Sequence, residues 1–209
     1  MNFLIFASSV IFAIFLTIRM ISINHQEQKE RDAFWSREYR ANQTRKKSLD
    51  SLTYITIPTD LLEASNPTRS PEIATCLEEL STLSTKVIVN LAGLTNTDLK
   101  LKYGAPNLPL LTDYDLCYTR LSRLLNQLGI LYKEANELDT AIAFLSFSVE
   151  TGSDIRTTYH ALASIYHSQG NRMALNDLYR RSCYLSKLSK SLIGQTLQEF
   201  GPYNDLLDS

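Results

Sequence analysis

Residues 125–132 read Leu-Asn-Gln-Leu-Gly-Ile-Leu-Tyr, and residues 159–166 read Tyr-His-Ala-Leu-Ala-Ser-Ile-Tyr. Leu128, Gly129 and Tyr132 thus return as Leu162, Ala163 and Tyr166, at an offset of 34 residues. The phase persists downstream, where Asn136 answers to Gly170, Leu145 to Tyr179 and Ser148 to Ser182. A period of this length marks stacked supersecondary units, none of which buries its apolar face alone.

The surrounding pattern is helical. Thr112 with Asp115 forms a near capping box, and Leu116, Leu121, Leu124, Leu125 and Leu128 recur at helical spacing. This predicts a helix from Thr112 to about Glu134, broken at Asn136. A second runs from about Asp139 to Thr151, closed by Gly152, and Asp154 caps a third that ends at Gly170. A fourth reaches about Ser186. A last one, carrying Leu188, Leu192, Ile193, Leu197 and Phe200, stops at Gly201-Pro202. Upstream, Ser70-Pro71-Glu72 is a helix start of cap, proline and early acid, predicting a helix to about Lys86. Val87–Leu91 is apolar and open between strand and helix. Asn96-Thr97-Asp98 starts a short helix that Gly104 ends near Tyr103, and Pro106 and Pro109 mark a loop. Tyr54–Ile57 is β-branched and stops at Pro58, which predicts an extended linker. Asn66-Pro67 and Ser70-Pro71 are turn signals.

The chain has 209 residues, 44 % of them apolar, with 11 Tyr and 8 Phe to fill a core. Its net charge of -1 hides an asymmetry. Residues 24–47 hold seven basic and four acidic side chains, and residues 48–209 hold 13 basic and 18 acidic ones. The globular part is therefore mildly acidic, which argues against a phosphate-tracking nucleic-acid binder. Cys76, Cys117 and Cys183 are far apart and odd in number. They form neither a disulfide framework nor a zinc motif, and they suit a reducing compartment. His160 and His167 would share a helix face about 10.5 Å apart along the axis, too far to ligate one zinc ion. No phosphate-binding glycine loop, zinc-protease helix, nucleophile elbow or dinucleotide fingerprint occurs. Asp113 with Asp115, and Glu78 with Glu79, read as caps and solvated faces rather than as acid–base pairs. The expectation is a protein without enzymatic activity, cofactor or small-molecule substrate.

Phe3–Ile18 is an apolar run interrupted only by Ser8, Ser9 and Thr17. A helix over residues 2–23 would be about 33 Å long, enough to cross a bilayer, with Arg19 able to extend its charge to the headgroups. A cleaved signal peptide would need a basic start and a small-residue cleavage site. Only Met1 and Asn2 precede the run, and no A-x-A follows it. Lysine and arginine are confined to the C-terminal flank, so the N-terminus is expected outside and the C-terminal domain in the cytoplasm. Residues 25–47 read as a charged helical stalk, with Phe34, Trp35 and Tyr39 on one side.

The 34-residue pattern resembles the tetratricopeptide repeat, whose helix pairs carry W-x2-L-G-x2-Y…A-x3-F…P. Leu125-x2-Leu128-Gly129-x2-Tyr132…Ala141-x3-Leu145 matches one unit, and Tyr159-x2-Leu162-Ala163-x2-Tyr166…Leu175-x3-Tyr179 the next. Leu175 stands where alanine is usual, and Ser153 and Lys187 replace the closing proline. The resemblance covers residues 122–189 and implies an all-α fold of antiparallel helix hairpins. Small residues at Gly129, Ala163 and Ala141 would let paired helices approach. Two units are too few for stability, so the helix from Ser70 and the one at Leu188–Phe200 are expected to pack on either end.

In repeats of this kind the first helix of each pair lines a concave groove that holds a peptide or a partner helix. Carried over, the groove positions are Arg123, Asn126, Ile130, Lys133, Thr157, His160, Ser164 and His167. The alternative is that these side chains form solvated helix faces. A clamp for a partner's terminal carboxylate would need a denser Lys/Asn/Arg set than Ile130 and Ser164 leave. The expected organisation is a transmembrane anchor (1–23), a charged stalk and extended linker (24–69), a helical and loop segment (70–111), two repeats (112–189) and a capping helix with its tail (190–209). The layout resembles bacterial membrane-anchored tetratricopeptide proteins. It implies a scaffold or adaptor that binds a protein partner at the membrane. Two other readings remain: a structural subunit of a membrane complex that makes contact through the anchor and stalk, and a cell-surface or secreted form.

Overall fold

The computed structural model describes residues 2–63 and 70–201; within the first helix, the side chains of residues 2–6, 8–11, 13, 14 and 24 lie outside that description. The expected turn at Asn66-Pro67 and stop at Pro202 lie outside it too. The protein is all-α, with 74 % of it helical. The only pairing of extended backbone among the described residues is an antiparallel bridge between Tyr54 and Val89. The helices follow as α1 (Asn2–Asn42), α2 (Thr59–Glu63), α3 (Pro71–Ser84), α4 (Asn96–Tyr103), α5 (Leu108–Glu134), α6 (Leu138–Glu150), α7 (Arg156–Ser168), α8 (Arg172–Ser182) and α9 (Lys187–Gln198). A 3-10 turn over Ala105–Asn107 precedes α5. Two compact units result: residues up to Leu49 with Leu94–Leu108, and Asp50–Gly93 with the residues from Pro109 on.

In the larger unit, α5 with α6 and α7 with α8 form helix pairs whose turns are built alike. Asn136 and Gly170, one period apart, both take positive φ, 61° and 67°. Behind them the amides of Glu137 and Asn171 donate to the carbonyls of Tyr132 and Tyr166, each at 2.9 Å. A left-handed residue there frees the chain to turn while the last helical carbonyls stay satisfied. Gly129 sits directly under Leu145, and the rings of Tyr132 and Phe144 stack at 5.4 Å. Leu121, Leu125, Leu128, Leu162 and Ile165 are almost wholly buried between them. Ile73, Leu77 and Leu80 of α3 and Ile193 and Leu197 of α9 join the same core. The flanking helices therefore bury what two pairs alone would leave open. Gly129→Ala places a methyl against the Leu145 side chain, an overpacking expected to cost about 1–3 kcal/mol. Denaturant melts should show that cost shrinking when Leu145→Ala is added, since the two atoms then no longer meet.

Several boundaries differ from the pattern-based expectation. α5 starts at Leu108 rather than Thr112, with Pro109 inside its first turn, where a missing N–H is harmless. Val87–Leu91 is extended: the Ile55 amide donates to the Ile88 carbonyl at 2.9 Å. The segment before it is not a bare linker, because Leu52 and Ile57 are buried.

The smaller unit clasps the end of α1 onto α4. Thr95 caps α4, and its amide donates to the Asp98 carboxylate at 3.0 Å while its hydroxyl accepts from the Asp98 amide at 3.2 Å. Arg37 pairs with Asp98 and Lys100 with Glu38. Thr97 donates to Glu38 at 2.6 Å, and Lys100 also donates to Asn42 at 2.7 Å. Ala41 is fully buried beneath these bonds. The ammonium of Lys100 and the hydroxyl of Thr97 hold the Glu38 carboxyl below its ordinary range. Thr95, then Arg37, do the same for Asp98. Stability from both is present above the ordinary carboxylate range and is lost as pH falls through it.

α1 is a single helix of 41 residues that runs without a break from the apolar run into the charged segment. Among the described residues no helix is long and apolar enough to cross a membrane. The expected anchor falls largely on side chains outside the description.

Candidate partner-binding site

The eight groove positions lie on two helices: Arg123, Asn126, Ile130 and Lys133 on α5, and Thr157, His160, Ser164 and His167 on α7. The fold brings these helices side by side. Asn126 accepts hydrogen bonds from Thr157 at 2.9 Å and from Thr158 at 3.0 Å. One and a half turns further on, the Lys133 ammonium donates to Ser164 at 3.0 Å. The two faces therefore meet through a polar ladder, and four of the eight residues already satisfy one another. Ile130 is half-buried between the rungs.

His160 and His167 are not held by that ladder. Both rings lie against Phe200, just past the end of α9, with centroids 5.2 and 6.0 Å away. α9 packs along α7, and Arg156 donates to Thr196 at 2.5 Å. Phe200 is 34 residues beyond Tyr166, so the phase of Tyr132 and Tyr166 continues into α9. That third appearance was the signal that could have placed Phe200 beside the α7 histidines.

Of the cations on this surface, Arg123 is exposed and makes no hydrogen bond or ion pair among the described residues. Lys133 is engaged by Ser164. The face can therefore offer one mobile guanidinium, two imidazoles braced by a phenyl ring and a row of hydroxyl and amide groups. That set suits adaptable polar contact with a peptide or helix. It lacks the several free cations that a carboxylate clamp uses.

Other candidates from the sequence resolve into structural roles. Asp115 accepts from the Leu91 amide at 3.2 Å, and Glu79 pairs with Arg120. Cys76 is buried, Cys117 half-buried and Cys183 exposed, all as free thiols. Burial, and then the carboxylates of Glu79 and Glu72, push the Cys76 thiol up, which suppresses its thiolate. Among the described residues no three potential metal ligands converge.

No protein-family model, no curated protein and no solved structure matches the chain.

Proposed function

We propose that this protein is a membrane-anchored adaptor, which binds a protein partner through the α5–α7 face of a tetratricopeptide-like helical domain. The anchor is the apolar run from Phe3 to Ile18, with the N-terminus outside and the domain in the cytoplasm. The observation that carries the reading is the α5–α7 face itself. It is a continuous polar strip on two adjacent helices that are repeated at 34 residues, with Arg123, His160 and His167 exposed along it. Surfaces of this kind, held by a rigid stack of helices, recognise extended or helical segments of other proteins.

Site-specific photocrosslinking in native membranes tests the reading. A reactive group at His160 should give a discrete protein adduct, and one at Arg180 on α8 should not. Equal adducts from both positions, or none from either in a folded protein, would leave the face without a partner.

One observation favours a second reading, in which the chain is a structural subunit that makes contact through α1. Phe34, Trp35 and Tyr39 are 56 %, 61 % and 65 % exposed on one side of the helix, with Phe34 and Trp35 edge to face at 5.4 Å. Phe34 lies eleven residues past Ile23, about 16 Å along a helix and beyond a headgroup layer. A protein surface rather than lipid would then cover these rings.

A further inference from the structure

Away from the α5–α7 face, the larger unit holds a surface cleft of about 980 Å³. Its walls are the extended segment at Thr53 and Ile55, the loop at Asn90, the α6–α7 turn and the end of α8. The charges around it are unbalanced. Glu150 and Asp154 are exposed on its rim. Glu150 makes no hydrogen bond or ion pair among the described residues, and Asp154 accepts a single hydrogen bond, from Ser189 at 2.9 Å. The one cation in the lining, Arg181, is engaged by Asp177 at 2.6 Å. The C-terminal ends of α6 and α8, which carry partial negative charge, also meet here. Tyr184 stands at the mouth, 85 % exposed, with its ring free to lie beside a bound cation.

The wall behind Asn90 contains an independent sign of a missing partner. Tyr118 is only 6 % exposed, yet its hydroxyl has no hydrogen-bond partner, and neither has the buried hydroxyl of Ser122. The Tyr118 hydroxyl neighbours Ser122 and Asn90 and lies in the field of Asp154. Asn90 cannot satisfy it. Its amide nitrogen is committed to the Thr151 carbonyl at 2.9 Å, and its amide oxygen to the Ala92 amide at 2.9 Å. Buried polar atoms left without partners are rare, and a phenol oxygen in this position is an acceptor awaiting a donor.

We propose that this cleft receives a lysine side chain of a protein partner, its ammonium held between Glu150 and Asp154, with the Tyr184 ring beside it and the Tyr118 hydroxyl as a further acceptor. An ammonium supplies three donors and one positive charge, which matches two carboxylates and an unpaired hydroxyl. The cleft has room for several residues of chain around that side chain. It is separate from the α5–α7 face and shares with the adaptor reading only a protein as partner. The photocrosslinking at His160 therefore reports on that reading independently.

The test uses the full chain in lipid nanodiscs with carbon-13-labelled tyrosines, titrated with a capped glycine pentapeptide carrying lysine at its centre. A matched peptide carries norleucine there, which has nearly the same shape and no charge. The lysine peptide should shift tyrosine resonances saturably, at least about tenfold more tightly than the norleucine peptide. Glu150→Gln with Asp154→Asn should weaken the lysine peptide about tenfold. Tyr118→Phe should weaken it about threefold while leaving the melting temperature unchanged or raised, because removing an unpaired buried hydroxyl relieves its desolvation. Equal binding of the two peptides would overturn the proposal. So would no saturable shift up to about 10 mM, or undiminished binding by the carboxylate variant.

Discussion

Leu162→Asp removes the cooperative thermal transition of the helical domain. Leu162 is 1 % exposed and lies in the core that α3, α5, α6, α7, α8 and α9 share. A carboxylate there has no cation or backbone donor to receive it, so it must stay desolvated, take up a proton or break the packing. Each route costs several kcal/mol, comparable to the whole stability of a domain at about 5–15 kcal/mol. Circular dichroism during heating is the measurement, with Leu162→Ala as the graded control. The alanine leaves a cavity worth roughly 2–5 kcal/mol and should lower the midpoint while keeping a single sharp transition. A melt of Leu162→Asp that matches the parent chain would mean that α7 does not pack as described.

Gly104→Ala breaks the other unit. Gly104 takes φ of +96° between α4 and the 3-10 turn, a backbone conformation that disfavours any side chain. The new methyl would also collide with the backbone of Arg45 and Lys46. Backbone cannot swing aside as a side-chain tip can, so the strand of contacts from Thr44 to Lys47 must detach. That strand includes the Lys47 amide on the Tyr103 carbonyl at 3.0 Å, the Ala105 amide on the Thr44 carbonyl at 3.0 Å, and the Asn107 side chain on the Lys47 carbonyl at 2.9 Å. Hydrogen exchange read by mass spectrometry should show protection lost across residues 43–49 and 95–107 while α6 to α8 keep theirs. Retained protection at the Lys47 and Ala105 amides would refute the close approach at Gly104.

What could be read directly from the chain was whatever repeats or is local. The turns at Asn136 and Gly170, the cap before Pro71 and the glycine closing α4 all leave marks within a few residues, and each was placed to within about a turn. α5 began earlier than expected because a proline reads as a breaker even where the first helical turn tolerates it. The α1–α4 clasp left no such mark. Glu38 and Lys100 are 62 residues apart, and nothing periodic links two charges across that distance. The candidate face lies between these cases. Spacing placed its eight residues on two helices, but spacing has no power to show that Asn126 would engage Thr157 or Lys133 engage Ser164. Those bonds depend on how closely the first helices of successive pairs approach. The cleft was invisible for a stronger reason: its walls come from four separate stretches of chain, and its defining feature is a hydroxyl that lacks a partner.

The unbroken course of α1 has a mechanical consequence. From Asn2 to Asn42 it contains neither glycine nor proline, the residues at which long helices bend. With its apolar half in a bilayer, as proposed, the membrane segment and the clasp are one stiff rod about 60 Å long. Twisting the lipid-embedded end about its axis then turns Arg37 and Glu38 by the same angle, and α4 with them. The rod also fixes a compass bearing. Each residue added or removed between Asn24 and Ser36 would rotate the clasp by about 100° relative to the anchor and shift it about 1.5 Å along the axis. The length of that short stretch thus sets which way the clasp faces as well as how far it stands from the bilayer.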